Sequence, residues 1–129
     1  MILSLKSSFS SAHFYTQPLW SEKRNIDTFG RCYTPFGHGH NYTLEIDFYI
    51  PRDQLFEKKK FYQILMHELT TKLDHEHLNF VIPEFKKTNP TTENLTLYFL
   101  EKLKFSIPIE EVSKIRVYEM HNLWAELVL

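Results

Sequence analysis

Two histidines of the sequence, His38 and His40, alternate around a glycine immediately before a segment of alternating polarity. From Tyr42 to Ile50 the even-numbered residues are apolar, while Thr43, Glu45 and Asp47 are polar. This period of two predicts a strand with one buried face, and its register places both imidazoles on that face. There they either bind one metal ion or are partly buried structural residues.

A third histidine, His13, favours the metal-site interpretation. The odd-numbered residues from Leu3 to His13 alternate with largely polar even-numbered ones, which predicts a second half-buried strand with His13 on its buried face. Three neutral imidazoles with an open fourth position are the ligand set of a catalytic zinc. Because Cys32 is the single cysteine of the chain, a zinc site built from several thiolates is excluded.

Three further groups could act beside such an ion. Cys32 is either a small buried apolar residue or, with a cation nearby that lowers its pKa, a base or nucleophile. Asp74 and His75 are adjacent at a predicted helix end, where they are surface polar groups or a carboxylate that orients an imidazole for proton transfer. Glu119 falls on the predicted buried face of a strand near the C-terminus. Its carboxylate therefore either turns to water or pairs with an amidine-like edge of a ligand.

Two predicted helices follow the strand that begins at Tyr42. The first, from Gln54 to Asp74, has apolar residues three and four positions apart, so its predicted buried stripe is Phe61, Ile64, Leu65, Leu69 and Leu73. The second begins at Thr91 or Thr92, which can cap it, with Glu93 in its first turn. Ile107-Pro108 ends this helix. Its predicted apolar stripe is Leu95, Tyr98, Phe99 and Leu103.

The C-terminal pattern predicts two strands joined through Met120-His121-Asn122 as an antiparallel hairpin. The element order is then β-β-α-α-β-β, an α+β fold. A long aromatic-rich connection, Phe14 to Gly37, joins the first two strands, and connections of that length are usually functional or packed onto a neighbour.

Composition limits the classes of function. The 129 residues carry a formal net charge of −1, so there is no basic excess to bind nucleic acid. No apolar run is long enough to span a membrane and no signal peptide is visible. One cysteine cannot form an intramolecular disulfide, which indicates a reducing compartment. We expect one domain over residues 1–129, located in the cytoplasm.

Five segments in order resemble the 6-pyruvoyl tetrahydropterin synthase / 6-carboxytetrahydropterin synthase family. They are Phe9-Ser-Ser-Ala-His13, Cys32-x5-His38-Gly-His40-Asn-Tyr, Leu73-Asp74-His75-x2-Leu78-Asn79, Pro90-Thr-Thr-Glu-Asn94 and Glu119. The resemblance implies the tunnelling fold (T-fold): a four-stranded antiparallel sheet with two helices on one face. Subunits of this fold close into a barrel, which implies a homo-oligomer, a hexamer formed as a dimer of trimers.

The resemblance also implies roles for the site residues. His13, His38 and His40 hold zinc, and Cys32 is the catalytic thiol. Asp74 and His75 are its proton-transfer partners and arrive from an adjacent subunit. Glu119 anchors the pterin ring, and the Pro90–Asn94 segment lines the pocket with Thr91, Thr92 and Glu93.

The family substrate is 7,8-dihydroneopterin triphosphate, and two products stay open. Elimination of triphosphate with internal redox transfer gives 6-pyruvoyl tetrahydropterin, whereas carbon–carbon cleavage gives 6-carboxytetrahydropterin and acetaldehyde. The five residues between Cys32 and His38 resemble the pyruvoyl synthases of tetrahydrobiopterin biosynthesis. Bacterial members, by contrast, are mostly carboxy synthases of the queuosine pathway. Two other classes are a catalytically silent zinc- and pterin-binding paralogue and a cysteine hydrolase, which would leave the three histidines unexplained.

Overall fold

The computed structural model describes residues 1–129, whose strands form one sheet in the order β3-β1-β2-β4-β5. The strands are β1 Ile2–His13, β2 His38–Tyr49, β3 Glu76–His77, β4 Val112–Met120 and β5 Leu123–Val128. The helices are α1 Glu22–Phe29, α2 Leu55–Thr71, α3 Leu78–Val81 and α4 Thr92–Lys104.

The four long strands pair antiparallel, as the sequence predicts. β1 and β2 pair along their whole length, from Ile2 opposite Tyr49 to His13 opposite His38. The fifth strand, β3, is unpredicted and lies parallel to β1 through Ser11 and Ala12. With two residues it is too short to show any alternation of polarity. The predicted α+β class is therefore confirmed, but the sheet has five strands where the sequence predicted four.

The even-numbered side of β2 faces the helices and forms the centre of the core. Tyr42, Leu44, Ile46 and Phe48 are all fully buried there. In α4 the predicted stripe is confirmed, since Leu95, Phe99 and Leu103 are buried and Tyr98 is partly buried against the core.

The predicted buried stripe of α2 is partly wrong. Leu65, Leu69 and Leu73 do face the core, but Phe61 and Ile64 are about half exposed, at 49% and 51%. Tyr62 is buried instead, because its ring stacks on Phe48 with centroids 4.0 Å apart. The buried face therefore includes Tyr62 and Met66 beside the predicted leucines. The helix also ends at Thr71, three residues before the predicted Asp74.

The connection between β1 and β2 contains a helix, α1, that the sequence interpretation missed. Ser21 caps it by accepting a hydrogen bond from the Arg24 backbone, a signal that was present in the sequence. Inside the loop the buried amide of Asn25 bonds the backbone of Gln17, which fixes the start of the connection. None of the helices has the length and apolar character needed to cross a membrane.

The helix-free face of the sheet is more buried than its polar sequence suggests. Glu45 and Asp47 are only 7% and 9% exposed. Their carboxylates lie within 3.2 Å and 2.9 Å of the Lys114 ammonium, whose long side chain crosses from β4. Burial of these charges is thus accompanied by pairing, as the low dielectric of a protein requires.

Candidate active site

Three imidazoles meet at one end of the β1–β2 pair. The strand register sets His13 directly opposite His38, and His40 follows two residues later on the same side. Their ring centroids are 4.8–5.0 Å apart in all three pairs. Nε2 of His13 and Nε2 of His38 are separated by 3.0 Å. The structure therefore brings together the three histidines that the sequence singled out.

Cys32 reaches the same point from the connection after α1. Its Sγ lies 3.5 Å from His38 Nε2 and 4.0 Å from His13 Nε2. The backbone of Tyr15 donates to the Cys32 carbonyl at 2.6 Å, which holds the loop against the segment following β1. Burial, followed by the negative charge of Glu119, raises the pKa of the Cys32 thiol. In the absence of a cation this thiol therefore keeps its proton at neutral pH and is not available as a thiolate base.

The donors form two overlapping ligand groups that share His13. One consists of His13, Cys32 and His38, and the other of His13, His40 and Glu119, each with its donor atoms within 4.8 Å of one another. All three predicted zinc histidines belong to this pair of groups. Each group also contains one donor that is not an imidazole, the Cys32 sulfur or a Glu119 oxygen, and the three-histidine prediction places both outside the ligand set.

The protonation of the imidazoles suits a metal ion. His13 is completely buried, and burial together with the neighbouring His40 and His38 lowers its pKa to about 3, so it is neutral. Burial also lowers the pKa of His40. Neutral imidazole is the form that binds metal. Nε2 of His40 is buried without a hydrogen-bond partner, although Glu119 Oε1 is only 3.0 Å away. A cation would satisfy this orphaned nitrogen, so the residues fit zinc.

Glu119 lies beside the histidines, with its Oε1 3.0 Å from His40 Nε2. It is 7% exposed, and its Oε2 accepts a hydrogen bond of 2.8 Å from the hydroxyl of Thr92. Thr91 caps α4 by accepting from the Asn94 backbone, while Glu93 is exposed in the first turn. The predicted pocket residues thus meet at the start of α4, where Thr92 alone among them bonds the Glu119 carboxylate.

Asp74 and His75 form a dyad away from the thiol. His75 Nδ1 lies 2.9 Å from Asp74 Oδ2, and Asp74 Oδ1 accepts from the Ser10 backbone at 2.8 Å. His75 has a positive φ of 61° and an imidazole that is 84% exposed. The dyad borders an open cleft of about 440 Å³ along the ends of β1 and β2. Within the chain it makes no hydrogen bond to Cys32.

The sequence model of the 6-pyruvoyl tetrahydropterin synthase family matches residues 2–128. The chain belongs to this family. It is 31% identical over 127 residues to human 6-pyruvoyl tetrahydrobiopterin synthase, covering 93% of this chain and 86% of that protein. The solved structure of Caenorhabditis elegans 6-pyruvoyl tetrahydropterin synthase has a TM-score of 0.83 and 26% identity, covering 99% of this chain and 94% of that one. A more distant relative, at 24% identity, is the dihydroneopterin monophosphate aldolase of Pyrococcus furiosus, with 95% of this chain and 92% of that protein covered.

Membership of the 6-pyruvoyl tetrahydropterin synthase family confirms the resemblance drawn from the five segments and the predicted tunnelling fold. It also makes the enzyme class a lyase of the tetrahydropterin synthase type. Two residues near the site of this family member have roles that the sequence interpretation did not assign, although their types and positions carried a signal.

The first is Tyr15, two positions after His13 and therefore on the same side of an extended chain. Its ring centroid is 4.7 Å from that of His13 and 6.0 Å from that of Phe29 in α1. Burial, then the charge of Glu119, raises the pKa of the Tyr15 phenol well above its usual range, so it keeps its proton. Tyr15 therefore presents a neutral hydroxyl close to the Glu119 carboxylate.

The second is Asn79, the last residue of the Leu73–Asn79 segment. Its buried amide accepts from the Phe14 backbone N–H at 2.9 Å and donates to the Phe14 carbonyl at 3.0 Å. These two bonds replace a strand partner immediately after His13. Asn79 thus fixes the path of the chain between His13 and Tyr15, which explains why an amide, with one donor and one acceptor, occupies this position.

Proposed function

We propose that the protein is a zinc-dependent lyase that converts 7,8-dihydroneopterin triphosphate into 6-pyruvoyl tetrahydropterin. The observation that carries this proposal is the convergence of the only thiol with two imidazole nitrogens, at 3.5 Å and 4.0 Å, in front of a buried carboxylate. A hydrolase using Cys32 with Asp74 and His75 is disfavoured, because it would leave the cluster of His13, His38 and His40 without a role.

His13, His38 and His40 would hold the zinc ion, which supplies Lewis acidity to hydroxyl oxygens of the substrate side chain. The neutral state of His13, which burial favours, keeps its Nε2 available as a ligand. The buried position of the cluster between two paired strands fixes the direction of the donors before any ligand arrives, and such preorganisation is what a catalytic metal site needs.

Glu119 would set the position of the pterin ring. A carboxylate accepts two parallel N–H bonds from the amino-pyrimidine edge, which fixes both the position and the plane of the ring. The Thr92 hydroxyl holds the carboxylate by a bond of 2.8 Å. Tyr15, protonated and close to the same carboxylate, would lie at the border between the ring and the side chain of the substrate.

Cys32 would take the proton from the side-chain carbon that becomes acidic next to the polarised oxygen. This is general base catalysis by a thiolate, with His75 as the proton-transfer partner and Asp74 orienting its imidazole. Triphosphate then leaves by elimination, and internal redox transfer from the side chain to the ring gives the tetrahydro product. The reaction requires no external oxidant or reductant, because the carbons that are oxidised and the ring that is reduced belong to the same molecule.

We further propose that the site is shared between subunits of a hexamer made of two stacked trimeric barrels. The exposed Asp74–His75 dyad supports this, since an imidazole that is 84% exposed can contact another chain. The outer strand β5 supports it as well, because Leu123, Trp124 and Val128 leave 44%, 47% and 73% of their surfaces uncovered. Edge strands of this kind are normally paired or covered.

The test is to incubate the purified, zinc-loaded protein with 7,8-dihydroneopterin triphosphate and to identify the products by mass spectrometry. We expect 6-pyruvoyl tetrahydropterin and inorganic triphosphate from the wild type. Cys32→Ala should still bind metal through the imidazoles but lose nearly all turnover. Formation of 6-carboxytetrahydropterin with acetaldehyde would instead assign the queuosine-type reaction. Tight binding of the substrate without release of triphosphate would show a silent pterin-binding paralogue.

A further inference from the structure

The distances around Cys32 bear on what the thiol does before substrate arrives. Its Sγ and the Nε2 atoms of His13 and His38 form a triangle with sides of 3.0 Å, 3.5 Å and 4.0 Å. A thiol has one proton, so it cannot donate to both imidazoles. Three atoms that can each bind a metal ion therefore face one small space.

The two nitrogen–sulfur distances match the edges of a tetrahedral metal site, and the nitrogen–nitrogen distance of 3.0 Å is slightly shorter than such an edge. With bonds of about 2.0–2.1 Å from zinc to nitrogen and about 2.3 Å from zinc to sulfur, a tetrahedron has nitrogen–nitrogen edges of about 3.3 Å and nitrogen–sulfur edges of about 3.6 Å. The nitrogen–sulfur distances of 3.5 Å and 4.0 Å lie on either side of that value.

We propose that Cys32 Sγ is the fourth ligand of the metal in the resting enzyme and that the substrate's side-chain hydroxyls displace it. The proposal rests on the proposed function, because it takes the metal and the substrate class from there. On binding, the thiol releases its proton to solvent, since a ligating sulfur is a thiolate. Displacement then leaves that thiolate beside the substrate carbon whose proton it has to accept.

Glu119 is the competing candidate for the fourth position, since it forms the other ligand group with His13 and His40. Its Oε2 accepts a hydrogen bond from Thr92, and the proposed function uses its carboxylate for the pterin edge. Sulfur is also the softer donor, and zinc in four-coordinate sites prefers a sulfur ligand to an oxygen ligand. The two alternatives differ in the donor atom, which optical spectroscopy of a substituted metal distinguishes.

The experiment replaces zinc by cobalt(II) in the purified protein and records the absorption spectrum. We expect visible bands of a tetrahedral cobalt site together with a near-ultraviolet band from sulfur-to-cobalt charge transfer. Cys32→Ser and Cys32→Ala should lose the charge-transfer band, keep cobalt bound and weaken its affinity by at least about tenfold. Addition of 7,8-dihydroneopterin, which carries the side-chain hydroxyls without the triphosphate, should remove the band from the wild type.

Two control variants define the assignment. Glu119→Gln should keep the charge-transfer band, and His121→Ala, in the exposed turn after β4, should leave the whole spectrum unchanged. A wild type with tetrahedral cobalt bands and no charge-transfer band overturns the inference and leaves the proposed function standing. A band that persists under saturating 7,8-dihydroneopterin overturns the displacement. Absence of any cobalt binding overturns the metal site itself, and with it the proposed function.

Discussion

The hydroxyl of Tyr42 lies 2.6 Å from Nδ1 of His13, and neither side chain has any contact with solvent. A metal bound at Nε2 of His13 requires the proton on Nδ1, which then donates to the tyrosine oxygen. Ligating histidines are generally held in this way by an acceptor behind the ring. Tyr42 thus acts on the site through His13, as a positioning residue on the same strand as the other two histidines.

Tyr42→Phe removes only this hydroxyl, since a phenylalanine ring can keep the stacking on Phe9 at a centroid distance of 5.0 Å. We expect zinc affinity to fall by about 10–100-fold, the usual effect of losing a partner behind a metal ligand. Competition with a chromophoric chelator measures this change. Tyr49→Phe is the matched control, because Tyr49 lies on the same strand with about half of its surface exposed. Equal affinities in the two variants would contradict the role of Tyr42.

Gly37 allows the loop before β2 to approach His13 closely. It has a φ of 76°, and a Cβ added there would lie 2.3 Å from the His13 carbonyl oxygen. Gly30 also has a positive φ, of 53°, but a Cβ there would meet nothing within 4 Å. Comparison of the two alanine variants therefore separates the steric clash from the backbone preference that both positions share.

Gly30→Ala should lower the free energy of unfolding by about 1–3 kcal/mol, because its φ of 53° and ψ of −124° lie in a region that residues with a side chain rarely adopt. Gly37→Ala should cost at least about 2 kcal/mol more, because the His13 carbonyl or the loop must move. It should also weaken metal binding, which Gly30→Ala should not. Urea unfolding of the metal-free proteins gives the first comparison, and chelator competition gives the second. A similar loss of stability in both variants would mean that the loop moves freely away from His13.

Lys114 pairs with two nearly buried carboxylates, Glu45 and Asp47, on the helix-free face. Burial alone would raise the pKa of both, but hydrogen bonds and charges from Lys6, Ser4 and Lys114 outweigh it and lower both pKa values. Stability from a carboxylate with a lowered pKa is present above its ordinary value, 4.5 for Glu45, and is lost as the pH falls. The hydrogen bond to Asp47 raises the pKa of Lys114, so its contribution is lost only in strong alkali.

Lys114→Met should therefore lower the free energy of unfolding at neutral pH by about 1–3 kcal/mol, because it leaves the two carboxylates without their shared partner. Once the pH falls below the ordinary values of 4.5 and 3.8 and through the lowered pKa values of Glu45 and Asp47, both carboxylates take up protons, and the variant and the wild type should converge. Urea unfolding across this pH range measures the effect. Lys6→Met is the control: the Lys6 side chain is 62% exposed, so the loss should stay below about 1 kcal/mol. A difference between Lys114→Met and the wild type that does not change with pH would mean that packing, and not charge, is responsible.

The sequence predicted the parts of the site that depend on strand parity. His13, His38 and His40 each lie on the predicted face, because one side of every long strand must be buried. The sequence did not predict α1 or β3, because one is a short helix of low apolar content and the other has two residues. It also missed that Phe61 is half exposed and Tyr62 is buried, since stacking on Phe48 decides the rotation of α2 and apolar spacing alone does not.

The roles of Tyr15 and Asn79 were not predictable for a different reason. Both depend on contacts between segments far apart in the chain, such as the bonds from Asn79 to the Phe14 backbone across 65 residues. Nothing local in the sequence marks an amide as the partner of a distant peptide group. The available signals were the position of Asn79 within the Leu73–Asn79 segment and the spacing of Tyr15 two residues after His13, and the physical reason follows only from the fold.

The exposed dyad of Asp74 and His75 gives the sharpest test of a site shared between subunits. If His75 serves the thiol of a neighbouring chain, then Cys32→Ala and His75→Ala homo-oligomers should each lose nearly all turnover. Mixed oligomers should regain part of it, because some interfaces then combine an intact Cys32 with an intact His75. Random mixing of equal amounts restores about a quarter of the interfaces, since each of the two residues is intact with a probability of about one half.

The measurement is turnover of 7,8-dihydroneopterin triphosphate after subunit exchange, with exchange confirmed by native mass spectrometry on two tagged variants. His121→Ala mixed with Cys32→Ala serves as the control, because His121→Ala should itself be active, so half of all the sites should turn over. Absence of recovery after confirmed exchange would place the thiol and its proton-transfer partner in one chain. A monomer in sedimentation analysis would remove the shared site altogether, because Asp74 and His75 would then have no second chain to contact.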